Sequence, residues 1–223
     1  MSARDEIFSN IRRSLGVRAD DAARSAIVRN RIDQARAGIR PKRGEGDIPQ
    51  RLATFKSQAE SVSATVAIVE SAAKVPQEIA RFLRDQNLPA TLRMGEDNRL
   101  TSLPWDGTQL ALSRGASKGD DLNAVSHAEA GVAETGTLVI VSGPHNPSTL
   151  NFLPDNHIVV LKAAGVVATY EDALAAIRKA YGKGEMPRTV NMITGPSRSA
   201  DIEQKLLLGA HGPRRLHIII VRN

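Results

Sequence analysis

Hydrophobic and polar positions along this chain alternate first as helix, then as strand and helix in turn. Residues 2–15 put Ile7, Phe8, Ile11 and Leu15 on one helical face, with Ser2 and Asp5 spaced as a capping box and Gly16 as the stop. A second helix is predicted from about 20 to 37, where Ile27, Ile32 and Ala35 give only a thin apolar stripe. Residues 38–49 are rich in Gly and Pro and read as a linker. A helix over 49–61 follows, carrying Leu52, Phe55 and Ala59 inward. From there, short apolar runs at 64–69, 90–94, 109–113, 137–142, 157–161, 189–193 and 216–221 read as strands, with 123–126 as a further short one. Helical patterns lie between them at 75–86, 171–181 and 200–208, and 148–153 reads as a helical turn. Residues 95–108, with the lone Trp105, and 115–121 read as polar loops.

Continuously apolar strands that alternate with helices predict an α/β fold around a mainly parallel sheet covered on both faces. Ligands in such folds sit at the carboxyl ends of the strands. The helical stretch and linker over 1–48 form an arm, and 49–223 form the α/β domain.

Composition changes the picture in two respects. None of the 223 residues is cysteine, so disulfides and a thiolate-held iron–sulfur cluster are excluded for this chain. The net charge of +6 is confined to one end: residues 1–56 hold 13 Lys/Arg against 7 Asp/Glu, and residues 57–223 hold 17 of each. The arm is therefore basic and the domain neutral. Arm charges interleave with Asp20, Asp21 and Asp33, and over residues 1–56 only Phe8 and Phe55 are aromatic. A solvated helical surface or an acidic protein partner fits this better than nucleic acid, which would favour stacking platforms. No secretory h-region and no membrane-length apolar run is present, and a cytoplasmic protein is expected.

Two segments carry candidate chemistry. In Glu134-Thr135-Gly136-Thr137 a carboxylate sits on a turn before an apolar strand. It could serve as a base or an acyl nucleophile, or simply cap backbone N–H groups. In Gly195-Pro196-Ser197-Arg198-Ser199, followed by Asp201 and Glu203, a tight turn leads into the helix predicted over 200–208. Free N–H groups there, beside Arg198, would hold a carboxylate or phosphate; ordinary capping explains the same residues. His211, in Gly209-Ala210-His211-Gly212-Pro213, could orient a substrate carboxylate or bond to backbone. The five histidines show no i, i+4 pair, and no metal site is expected. Dinucleotide-fold, P-loop and hydrolase-elbow motifs are missing.

Taken together, Ala133-Glu134-Thr135-Gly136-Thr137, Leu153-Pro154-Asp155-Asn156-His157, Gly195 to Glu203 and Gly209 to Pro213 with Leu216-His217 resemble the lactate utilization protein C family of LUD-domain proteins. The resemblance covers residues 50–223 well and the first helix more loosely. Ser199 stands where Thr is usual and Ala210 where Val is common. The resemblance implies a three-layer sandwich like that of sugar-phosphate isomerases and coenzyme A transferases. It also implies a part in a multi-subunit system that oxidises L-lactate to pyruvate, with the iron–sulfur clusters on partner subunits and no cofactor on this chain. On that reading Glu134 is the candidate catalytic group, and Thr135, Gly136, Ser197, Arg198, Asp201 and His211 line one pocket for a small carboxylate or phosphate. The alternative, resting on fold analogy, is a stand-alone acyl-coenzyme A transferase or sugar-phosphate isomerase that uses Glu134.

Overall fold

The two longest strands, β7 (Asn156–Lys162) and β12 (Arg215–Val221), are buried along six of their seven residues each. Both faces of each are apolar: Val159, Leu161, Ile218 and Ile220 point one way, Ile158, Val160, Ile219 and Val221 the other. Strands of that kind are stable only inside a covered parallel sheet. They lie at the middle of a six-stranded, wholly parallel sheet with β1 (Thr65–Val69), β2 (Thr91–Met94), β3 (Ala111–Arg114) and β4 (Asn123–His127), in the order β1-β12-β7-β4-β2-β3. The structure is a computed structural model and describes residues 2–182, 184–199 and 207–223. The α/β organisation around a mainly parallel sheet is the one the sequence predicts.

One face of the sheet is covered by helix α4 (Val75–Asp85), through Val75, Ile79, Phe82 and Leu83. The short α5 (Asn98–Thr101) and Trp105 complete that side. Residues 95–108 are thus less of a polar loop than the pattern suggests: Trp105 is buried, and its Nε1 donates to the Leu100 carbonyl at 2.8 Å.

The other face meets α3 (Ile48–Ser61) and a second sheet of β8 (Val166–Val167), β5 (Ala130–Val132), β6 (Thr137–Val141) and β9 (Val190–Ile193). Its β5–β6 and β6–β9 pairs are antiparallel. Phe55, Leu138 and Ile140 pack here against Leu161, Ile218 and Ile220. Helix α6 (Tyr170–Tyr181) covers the outer face of the second sheet with Ala173 and Ile177. The strands expected at 137–142 and 189–193 therefore leave the parallel sheet. The other two strands of that sheet, β5 and β8, have three and two residues, too short for a periodicity to show.

A further difference lies at 207–208. Leu207–Leu208 form β11, antiparallel to β10 (Arg198–Ser199), and Gly209 N–H donates to the Ser197 carbonyl at 2.9 Å to prolong the ladder. The helix expected over 200–208 does not reach 207–208; residues 200–206 lie outside the described residues.

The arm starts with α1 (Ala3–Leu15), whose capping box of Ser2 and Asp5 and left-handed Gly16 stop are as predicted. It continues with α2 (Ala22–Gln34). Neither helix buries a residue. The linker does: Gly44 is buried, and a Cβ there would lie 2.2 Å from the Ala168 carbonyl oxygen. Arg40 reaches Asp172 at 3.1 Å and Arg43 approaches Glu134 at 3.9 Å. Part of the arm's basic excess thus meets the acidic start of α6. Among the described residues, no helix is long and apolar enough to cross a membrane.

Gly136, with φ of +67°, closes the β5–β6 hairpin, and a Cβ on it would lie 2.4 Å from Ala59 N and 2.8 Å from Ala59 Cα on α3. Backbone cannot yield as a side-chain tip can. Gly136→Ala is expected to destabilise the protein by about 2–4 kcal/mol. Urea unfolding checks this as a lowered midpoint at unchanged slope.

Candidate functional site

Where the layer between the sheets opens, at the amino ends of β7 and β12, there is a cavity of about 230 Å³. Its walls come from His157 and Leu216 on those strands, Met192 and Ile193 at the end of β9, the turn Gly195–Ser197, the loop His211–Pro213, and Asn151 with Phe152. This cavity lies at the opposite end of the parallel strands from their carboxyl ends, where the sequence reading expects a site. The physical reason is that β9 belongs to the second sheet, so its carboxyl end delivers Gly195-Pro196-Ser197 to the amino end of the parallel sheet. The volume lies below the ~300–1,000 Å³ usual for drug-sized ligands and suits a small molecule.

The turn is fixed from below. Gly195 has φ of +77°, and a Cβ there would lie 2.5 Å from the Val62 carbonyl oxygen at the end of α3. Ser197 then joins the turn to the next loop: its N–H donates to the Pro213 carbonyl at 2.9 Å, and its Oγ accepts from His211 N–H at 3.3 Å. Ser197 and His211, both singled out from sequence, are thus brought together in the lining. Arg198 is exposed on β10 and does not line the cavity. Residues 198–199 are extended, and the helix start expected from residue 200 lies outside the described residues. Asp201 lies outside the described residues.

His157, quoted from sequence only as part of a strand-entry motif, is with Asn151 a buried polar group of this cavity. Its Nε2 is 3.1 Å from Ser126 Oγ, which in turn donates to Asn151 Oδ1 at 2.8 Å. Its Nδ1 has no hydrogen-bond partner among the described residues. Burial pushes the imidazole pKa down to about 3, so the ring is neutral at physiological pH. The pairing of β4 with β7, which no sequence periodicity reveals, is what places Ser126 beside it.

Glu134, Thr135 and Gly136 do not join this lining. They form the loop of the β5–β6 hairpin, closed by the Val132–Thr137 pair. Glu134 is buried and its Oε1 accepts from the N–H of Tyr170, the first residue of α6, at 3.3 Å. The carboxylate thus does the work of a helix-terminus acceptor, favourable at the positive end of the helix dipole. Thr135 and Thr137 share a hydroxyl cluster with Tyr170, at 3.1 and 2.8 Å. Thr137 also bonds Thr194 at 2.7 Å, which connects the hairpin to the segment leading into the cavity.

At the carboxyl ends of β2 and β4 lies an ion network that sequence reading missed. Arg99 bridges Asp97 (2.6 Å) and Glu129 (2.7 Å). Burial opposes ionisation of Asp97, but the Arg99 hydrogen bonds outweigh it and hold its pKa below the ordinary value. Nearby His127 is pushed down to about 4, by burial first and by the Arg99 charge second. Sequence spacing gives no sign of this network, because Glu129 is 30 residues from Arg99.

Residues 123–221 match the family model described as LUD domain. That stretch, somewhat under half of the chain, is similar to a LUD domain. The match begins at the first residue of β4 and ends at the last of β12, and every residue lining the cavity falls inside it. Outside the match, β1, β2 and β3 complete the same parallel sheet. A protein of Geobacillus sp. (strain WCH70) named lactate utilization protein C is 41% identical over 91 residues, 40% of this chain and 38% of that protein. One of Exiguobacterium sp. with the same name is 28% identical over 182 residues, 77% of this chain and 78% of that one. The alignments with Geobacillus relatives span only about 38–41% of those proteins' length. A crystal structure from Deinococcus radiodurans, described as a DUF162 family protein, shares the fold with a TM-score of 0.58 at 20% identity, over 79% of this chain and 99% of that one.

The two neutral histidines make the protein sensitive to acid. Both folded pKa values are depressed, so the unfolded chain takes up protons first, from about pH 6.5 downward. Stability is fully present above that pH and falls below it, by up to ~1.4 kcal/mol per pH unit for each histidine. Glu78, held at about 2 by Arg81 and His217 against the opposing effect of burial, adds to the loss only below its ordinary value of 4.5. Urea unfolding at pH 7.5, 6 and 5 checks this. His127→Asn and His157→Asn should each flatten the slope over that range, whereas a slope already flat in the wild type would mean that neither ring is kept neutral.

Proposed function

We propose that this protein is a component of a system for L-lactate utilisation that oxidises L-lactate to pyruvate, and that its cavity holds the small carboxylate. The observation that carries this is the coincidence of two facts. Relatives that align with this chain bear the name lactate utilization protein C, and the cavity is built wholly from residues inside the matched stretch. Ser197 and His211 are its polar rim. Iron–sulfur subunits pass on the electrons, since this chain has no thiolate to hold a cluster.

The arm supplies the contact with those subunits. Ile7, Phe8 and Ile11 are 42–59% exposed on α1, on a helix with a basic excess. An apolar stripe within a basic surface fits a more acidic partner. The linker, held to α6 by Arg40 and against Ala168 by Gly44, anchors this arm to the domain.

A strain lacking the gene is expected not to grow on L-lactate as sole carbon source while growing normally on glucose; undiminished growth on lactate sinks the proposal. Complementation with a Ser197→Ala/His211→Ala double variant should restore growth at less than about a tenth of the wild-type rate if the cavity holds the carboxylate. Removal of residues 2–36 leaves the buried linker in place, and should abolish co-purification with iron–sulfur subunits without lowering the melting temperature. Recovery of those subunits at full yield would mean that the domain itself docks them.

A further inference from the structure

Two further cavities meet at Glu129, beside the ion network at the carboxyl ends of β2 and β4. That is the end of a parallel sheet where ligands ordinarily sit. One cavity, of about 360 Å³, lies between the loop after β2, with Asp97 and Arg99, and the turn Ser142–Asn146. The other, of about 310 Å³, runs between the end of α6 and the outer face of the second sheet, with Ala176, Ala180, Val139 and Val141 in its walls. Glu129, Val141 and Tyr181 line both. The first is walled by charged and polar groups and the second mainly by aliphatic ones, so together they form a head pocket and a tail slot.

Arg99, in the wall of the head pocket, is held unequally on its two sides. Asp97 is buried, caps α5, and accepts from Arg99 Nε at 3.0 Å and Nη2 at 2.6 Å. This side cannot open without leaving a buried carboxylate unpaired. Glu129 accepts from Nη1 at 3.0 Å and Nη2 at 2.7 Å, a two-bond fork, yet its side chain is 40% exposed. An ion pair so open to water contributes little, and water solvates the carboxylate once it swings away. A second carboxylate can then take the same fork, because it has the same geometry toward guanidinium. Glu96 in the same wall is drawn to Arg114 at 3.4 Å.

We infer that the joined cavities bind an aliphatic carboxylate of medium chain length, its head on Arg99 in place of Glu129 and its chain in the slot beside α6. Displacing Glu129 also clears a wall that the two cavities share. An organic cation would need the reverse: Glu129 in place, with the immovable Arg99 charge beside it. This site is separate from the cavity at the amino ends of β7 and β12 and does not rest on the function proposed for that one.

Titration calorimetry on the full-length protein, with octanoate, butyrate and octylammonium as probes, tests the inference. Octanoate is expected to bind, and butyrate at least about tenfold more weakly because it buries fewer methylenes. Glu129→Gln removes the competing charge at nearly constant shape and should tighten octanoate up to about fivefold, the scale of an exposed ion pair. Ala176→Phe fills the slot from an exposed position of α6 without touching the ion network. It should weaken octanoate by about tenfold or more at an unchanged melting temperature. Failure of both the wild type and Glu129→Gln to bind octanoate overturns the inference. So does undiminished octanoate affinity in Ala176→Phe, which would put the chain elsewhere. Octylammonium binding that is tighter than octanoate and lost in Glu129→Gln would make this an acidic site for cations and overturn it as well.

Discussion

Phe55 on α3 reaches into the layer between the two sheets, into space that Gly131 on β5 leaves free: a Cβ there would lie 2.9 Å from the ring and 2.6 Å from Leu161 on β7. This contact ties together α3, the second sheet and the parallel sheet. A small residue on one strand admits a large one from the helix, which is how interiors reach close packing. The same layer also holds Leu138 and Ile140 against Ile218 and Ile220. Because β12 and β7 are apolar on both faces, the sheet needs α4 on one side as much as it needs this layer on the other.

The cavity is where that apolar layer stops. Two of its polar groups, His157 and Asn151, are joined through Ser126 behind them, and the other ring nitrogen has no partner among the described residues. Fully bonded polar chains rigidify a core, whereas an unmet group in one is costly.

Charge follows a different logic. The basic excess lies in the first quarter of the chain, yet two of those arginines, Arg40 and Arg43, lie against Asp172 and Glu134 of the same molecule. Glu134 is then held on two sides, by the start of α6 and by the linker. Its burial in a hairpin loop gives the Glu-Thr-Gly-Thr segment a structural task that a turn glutamate in solvent would not have.

Much of the fold was legible in local pattern. The capping box of Ser2 and Asp5, the stop at Gly16, the inward face of α4 and the continuous apolar runs of β7 and β12 follow from residue spacing and composition, since those features depend on neighbours within a few positions. The hydroxyl and imidazole of Ser197 and His211 were also visible as polar residues in glycine-bound turns. Other features depend on partners far away in sequence, and only the tertiary structure decided them. Leu138 to Val141 read as a strand, but its antiparallel neighbours, and hence a second sheet, are set by pairing with β5 and β9. That pairing carries Gly195–Ser197 to the amino end of the parallel strands and separates Glu134 from the cavity. It is likewise the register of β4 beside β7 that sets Ser126 against His157, because a buried ring finds its hydrogen-bond partner across the sheet and not among its neighbours in sequence.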